Sequence, residues 1–207
     1  MEKATQKSSQ TTREKIFKTA TKLFAQKGYS GTRVKEIAED IGISQALIYY
    51  NFKSKEQILD EILEEFKEKT VEMFTDVFDT NLNQKNKPVK WLPEEMEKGL
   101  DFFSKNREIT TILIFESLKK DSNTESLIDF FNHINNKVRF ELLNKRGFKI
   151  NENDINNSIV DFFYIFIPVI FFSILEEQWS EYYDVDKKLA SNEFSEILNN
   201  IFKKFYL

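Results

Sequence analysis

Apolar residues recur along most of this chain every three or four positions, the spacing of one buried helix face. Ile16, Phe17, Ala20, Leu23 and Phe24 form the first stripe, opened by a capping box at Thr11 and Glu14 and closed by Gly28. Val34, Ile37, Ala38 and Ile41 mark a second, short helix that Thr32 is placed to cap, ended by Gly42, which suits a left-handed backbone position. Ser44 can cap a third helix, Gln45 to Asn51, with Leu47 and Ile48 on its inner side. The box Ser54 and Gln57 then opens a long helix whose apolar positions run from Ile58 to Phe78. Asn81 to Pro93 reads as a loop. Beyond it the pattern predicts helices near 94–106, 108–119, 123–146, 154–180 and 187–206. The third of these five is bracketed by the box Ser122 and Glu125 and by Gly147, and the fourth is kinked at Pro168. With no strand pair and no repeat, the expectation is an all-α fold of about nine helices.

Composition narrows the chemistry. The 207 residues hold only 5 Gly and 3 Pro, too few for a turn-rich sandwich or a collagen-like chain. There is no Cys, which removes disulfides, thiolate metal sites and thiol nucleophiles together. His133 is the single histidine, and no glycine-rich phosphate loop, metal-ligand cluster or nucleophile motif accompanies it. An enzyme, a metal site and a cofactor are therefore not expected. The most apolar run, Phe162 to Leu175, spans 14 residues between Asp161 and Glu176. A membrane span needs ~20, so this run reads as a buried helix or an interface. Met1 to Gln10 is a polar tail without the apolar centre of a secretory signal, expected to be disordered, and the chain is expected to be cytoplasmic with no membrane partner.

Charge divides the chain. Residues 1–55 hold 11 Lys/Arg against 5 Asp/Glu, whereas residues 56–207 hold 19 against 29. Phenylalanine is skewed the other way, with 3 of the 21 in the first segment. A basic head on an acidic, aromatic body suggests that the head meets a polyanion.

The stretch Thr32 to Lys55, TRVKEIAEDIGISQALIYYNFKSK, carries the functional signal. Two short helices joined by a glycine turn need a third behind them, and residues 12–27 supply it. Ala38 is small where the pair must cross, and Ile37, Ile41, Ile43 and Ile48 form an inner seam. This is a helix-turn-helix, whose second helix faces the major groove. Residues 11–60 resemble the TetR family of bacterial transcriptional repressors, through TREKIFKTATKLFAQKGYSGT, VKEIAEDIGIS and above all IYYNFKSKEQIL. The resemblance implies a DNA-binding domain over 11–55, a long connecting helix, and a larger domain over 56–207 that binds a small effector and dimerises through its last two long helices. Carried over by position, it implies DNA contacts from Thr32, Arg33, Lys35, Ser44, Gln45, Ala46, Leu47, Tyr49, Tyr50, Asn51 and Lys55. Thr32 and Ser44 at helix starts suit phosphate oxygens. Where many relatives carry Lys-Gly, this chain has Gln45-Ala46; glutamine can pair bidentately with adenine, and alanine can touch a thymine methyl.

The body offers less specific signals. Its many phenylalanines read first as core, and as possible walls of an apolar cavity second. Phe103 and Phe131, with Glu116, His133, Tyr164 and Trp179 as polar groups, are the effector-binding candidates. Helices 154–180 and 187–206 carry more apolar surface than one face needs, which a homodimer would bury. The reading is a ligand-responsive homodimeric repressor acting on a palindromic double-stranded operator; the alternative is a helical adaptor of the same fold without specific DNA binding.

Overall fold

The computed structural model describes residues 2–82, 93–119, 126–140 and 155–206, and all regular structure among them is helical. α1 (Glu2–Lys27), α2 (Val34–Ile41) and α3 (Gln45–Asn51) precede the long α4 (Lys55–Leu82), followed by α5 (Pro93–Lys105) and α6 (Arg107–Ser117). α7 begins as Leu127–Ile134 and widens into a π-helical stretch, Asn135–Phe140. α8 is one continuous rod of an α-helical turn Ile155–Ile159, a π-helical stretch Val160–Phe166 and an α-helix Ile167–Tyr183. α9 (Lys187–Tyr206) closes the chain. The all-α expectation holds among the described residues.

Two local expectations need amendment, and a third group lies beyond the described residues. α1 starts at Glu2 instead of at the Thr11 box, because residues 2–10 hold no Gly or Pro to stop a helix and the backbone passes through Thr11 in helical form. α2 is capped at Arg33, one residue after Thr32, where the Glu36 carboxylate accepts the Arg33 backbone N–H at 2.8 Å. The box at Ser122 and Glu125, the stop at Gly147 and most of the loop after Leu82 lie outside the described residues.

The chain forms two compact units, residues 1–67 with 111–127 and residues 68–110 with 128–207. In the first, α1 packs on α2 and α3, and α2 on α3. Ile16, Ala20, Phe24, Ile37, Ala38, Ile48 and Phe52 are buried, as are Ile58, Leu59 and Ile62 in the first turns of α4. The α2–α3 turn is set by Gly42 at φ 75°. Gly42 N–H donates to Glu39 O at 3.2 Å and Ile43 N–H to Ala38 O at 2.9 Å, the paired bonds that close a helix through a left-handed residue. A side chain at this φ costs about 1–2 kcal/mol, hence glycine.

In the second unit, α8 and α9 pack on α5 and on each other. Phe172 and Phe194 stack across the α8–α9 seam with ring centroids 4.0 Å apart. Phe103, Phe130, Phe131 and Phe162 gather around Phe166 at 5.0–6.3 Å. Glu177 accepts from both Arg107 of α6 and Lys187 of α9, which holds its carboxyl below the usual range, the Lys187 bond contributing most. The irregularity expected at Pro168 takes the form of π winding: Ile167 N–H reaches back five residues to Phe162 O. Proline lacks an N–H and its ring crowds the carbonyl four residues earlier, and the wider turn before it gives that carbonyl room. No described helix is long and apolar enough to cross a membrane.

Candidate nucleic-acid interface

α3 is held by what it turns inward. Ile48 is buried, as is Phe52 just past its end. Ser44 caps the helix, its Oγ accepting Leu47 N–H at 3.2 Å, which leaves the Ser44 O–H to point elsewhere. The opposite face carries Gln45, Ala46, Tyr49 and Tyr50, all exposed, with Tyr49 at 52% and Tyr50 at 80%. Gln45 and Tyr49 lie one turn apart, as do Ala46 and Tyr50, so the four form two adjoining ridges. Leu47, expected on the inner side, sits at the rim with 37% exposure. Asn51 is half-buried and donates its amide to Leu47 O at 2.7 Å, closing its own helix.

Arg33 and Lys35 are exposed at the start of α2, Lys35 within 3.6 Å of Glu39. The Glu36 carboxyl is held low by the Arg33 N–H first and by Lys27 second.

Two expected phosphate ligands are occupied within the fold. Thr32 is 1% exposed and its hydroxyl is shared between Gly28 O at 3.0 Å and Leu23 O at 3.2 Å. Lys55 donates to Tyr29 O and Thr32 O, both at 2.9 Å, and its ammonium lies 4.0 Å above the Tyr29 ring. Burial lowers the Lys55 pKa. Both side chains tie the loop after α1 to its neighbours, because the carbonyls where a helix ends need donors. Hydroxyl or ammonium at the right spacing tells the chemistry of a residue; only the packing tells its direction.

The sequence also hid residues that matter here. Arg13 of α1 hydrogen-bonds both Asn51 O and the Glu61 carboxylate, with its guanidinium 4.1 Å from the Phe52 ring centre. It reads in the sequence as an ordinary surface charge on a polar helix face. Tyr29, set edge-on to Phe24, has a buried hydroxyl facing Glu56, and its pKa is pushed well up, by burial first and by that carboxylate next.

The effector candidates do not form one group. Phe103 and Phe131 both meet Phe166, His133 is half-buried on α7 and Tyr164 is exposed on α8. Trp179 lines a different feature, an open groove of about 480 Å³ between α8 and α9. Glu116 belongs to the first unit, buried and paired with Lys119, which also reaches Ser30 Oγ at 3.5 Å. No group of acidic residues and histidine among the described residues is arranged to hold a metal ion.

Comparison with known proteins agrees with this geometry. Residues 16–62 match the model for bacterial regulatory proteins of the tetR family. Over 47 residues the chain is 49% identical to YerO, an uncharacterized HTH-type transcriptional regulator of Bacillus subtilis, covering 23% of this chain and 16% of that one. Over 68 residues it is 34% identical to an HTH-type transcriptional repressor of Mycolicibacterium smegmatis, covering 33% of each. The matches thus span a third or less of those relatives. A TetR-family transcriptional regulator from Bordetella parapertussis shares the fold, with a TM-score of 0.63 over 94% of this chain and 95% of that one at 22% identity. The resemblance of the N-terminal residues to the TetR family is borne out.

The buried hydroxyl has a measurable consequence. Thr32→Val keeps the shape, removes the donor to two carbonyls, and is expected to lower unfolding free energy by about 1–3 kcal/mol in urea titration.

Proposed function

We propose that this chain is a sequence-specific DNA-binding transcriptional repressor, working as a homodimer that a small apolar effector releases from its operator. The observation that carries this reading is the outward face of α3. A two-turn helix backed by a buried core presents a glutamine, an alanine and two tyrosines to solvent, on the segment where positive charge is concentrated. Residues 11–55 are then the DNA-binding domain and 56–207 the effector-binding and dimerisation domain. Likeness to relatives named as regulators and repressors supports the same class.

Within this reading the exposed residues divide by chemistry. Gln45 pairs with adenine N6 and N7 in the major groove, and Ala46 packs on a thymine methyl. Tyr49, Tyr50, the free O–H of Ser44, and Arg33 and Lys35 contact phosphates and fix the docking register. Leu47 and Asn51 border the contact surface. Thr32 and Lys55 contribute by holding the loop behind it.

The dimer would form through α8 and α9. Ile155, Ile159, Phe163, Phe171, Leu175 and Trp179 are exposed along α8 and recur every four residues or a multiple of four. Together with Leu189 and Ile197 of α9 they make an apolar strip that a second copy covers across a two-fold axis. Such an axis also spaces two recognition helices by ~34–36 Å or a multiple, as a palindromic operator requires. The phenylalanines around Phe166 favour an effector with apolar or aromatic character. It would act through α4, which contributes to both compact units, and only by binding the released arrangement more tightly than the DNA-bound one.

Operator binding measured by fluorescence anisotropy against salt tests the assignment. Affinity is expected to fall with a log–log slope of about −0.9 per phosphate neutralised; affinity flat in salt would contradict it. Gln45→Ala is expected to cost about 1–3 kcal/mol on the preferred operator and to relax one base position; a loss equal on every operator variant makes Gln45 a positioning group only. Leu175→Glu, at a site exposed in the single copy, is expected to weaken self-association by about tenfold or more in sedimentation velocity. A wild-type protein that sediments as a monomer at micromolar concentration overturns the dimer.

A further inference from the structure

We propose that Arg13 is a positioning residue for DNA readout: it sets the angle at which α3 meets the duplex by clamping the end of that helix to α1 and α4. The inference rests on the DNA-binding reading above and extends it to a residue outside the contact face.

α3 has seven residues, too few for a helix to hold its own direction. Ile48 and Phe52 anchor it at two points on the inner side, which leaves rotation about that line to be fixed by something else. The backbone leaves the helix at Phe52, in extended conformation, with the Phe52 N–H closing on Ile48 O, and carbonyls beyond Ile48 need donors from outside the helix. One of them, Asn51 O, receives Arg13 Nη1, from 38 residues earlier in the chain. Nη2 of the same guanidinium bonds Glu61 of α4. The face of the guanidinium covers the Phe52 ring, at 4.1 Å from its centre.

Glu61 is itself oriented. Its other carboxylate oxygen accepts Gln57 Nε2 at 2.9 Å, and Gln57 Oε1 accepts the backbone N–H of Lys53 at 2.6 Å. The end of α3 is therefore held from outside at Asn51 by an Arg13 hydrogen bond, at Phe52 by the guanidinium face and at Lys53 by Gln57, that is, by α1 and α4. Two donors in a plane plus a stacking face are what a guanidinium offers; an ammonium in the same place keeps the charge but not the fork. Hydrogen bonds to base edges weaken steeply with misalignment, so a small rotation of α3 would be felt at Gln45 before it is felt at phosphate.

The test uses the full-length protein and an operator that the wild type selects from a random duplex pool, with a scrambled duplex of equal length beside it. Affinity is measured over a salt series for wild type, Arg13→Ala, Arg13→Lys, Glu61→Gln and the Arg13→Ala/Glu61→Gln pair, each with its melting temperature. Arg13→Ala and Glu61→Gln are each expected to weaken operator binding about tenfold, with the pair no worse than the stronger single. Binding to the scrambled duplex and the salt slope stay as in the wild type, and Arg13→Lys does not restore operator affinity. A salt slope reduced by about one, with equal losses on both duplexes and rescue by lysine, makes Arg13 a phosphate ligand and overturns the proposal. Losses that follow the fraction unfolded at the assay temperature overturn it too. A wild type that selects no sequence instead brings down the DNA-binding reading itself, and this inference with it.

Discussion

A helix of two turns has no stability of its own in water, and the function proposed for this molecule depends on one being held still from behind. Ile48 and Phe52 enter the core formed by α1, α2 and the first turns of α4, and that burial converts a marginal helix into a fixed platform. The Gly42 turn delivers α3 across α2, and Ala38 is small enough to allow the close approach. Once the inner face is committed, the outer face follows by helical geometry, because positions one turn apart must share a side.

Polar side chains complete what the apolar core leaves loose. The segment between α1 and α2 ends one helix and starts another, so its carbonyls lack helical partners. Thr32 and Lys55 supply donors to Leu23, Gly28, Tyr29 and Thr32 itself. After α3, Arg13 donates to Asn51 O and Gln57 accepts the Lys53 N–H, with Glu61 accepting from both side chains. Charges that look available to a polyanion in the primary structure, Arg13 and Lys55, are thus engaged within the scaffold, and the outward face of α3 is more aromatic than composition suggests.

The second unit follows a different logic. Its interior is built from phenylalanine rings meeting mostly edge-on or tilted around Phe166, and its outer side keeps an apolar strip on α8 and a groove against α9. Within the π-helical stretch before Pro168, Phe162 and Phe166 serve the inner cluster while Phe163 stays exposed. Exposed apolar surface of this extent is what the proposed pairing with a second copy would cover.

The order of helices, the glycine turn, the caps at Ser44 and Ser54 and the two-sided character of α3 were legible in the amino-acid sequence, because each follows from local spacing and backbone preference. Gly42 has to be left-handed and Ile48 has to face inward whatever surrounds them. The direction of long or branched polar side chains was not legible. Whether Thr32 and Lys55 meet phosphate or carbonyl, and whether Arg13 is a surface charge or a clamp, depend on how the chain packs around them. Local sequence determines which groups a helix face carries; only the tertiary packing decides which of them are consumed in satisfying buried carbonyls and carboxylates, and which are left to meet another molecule.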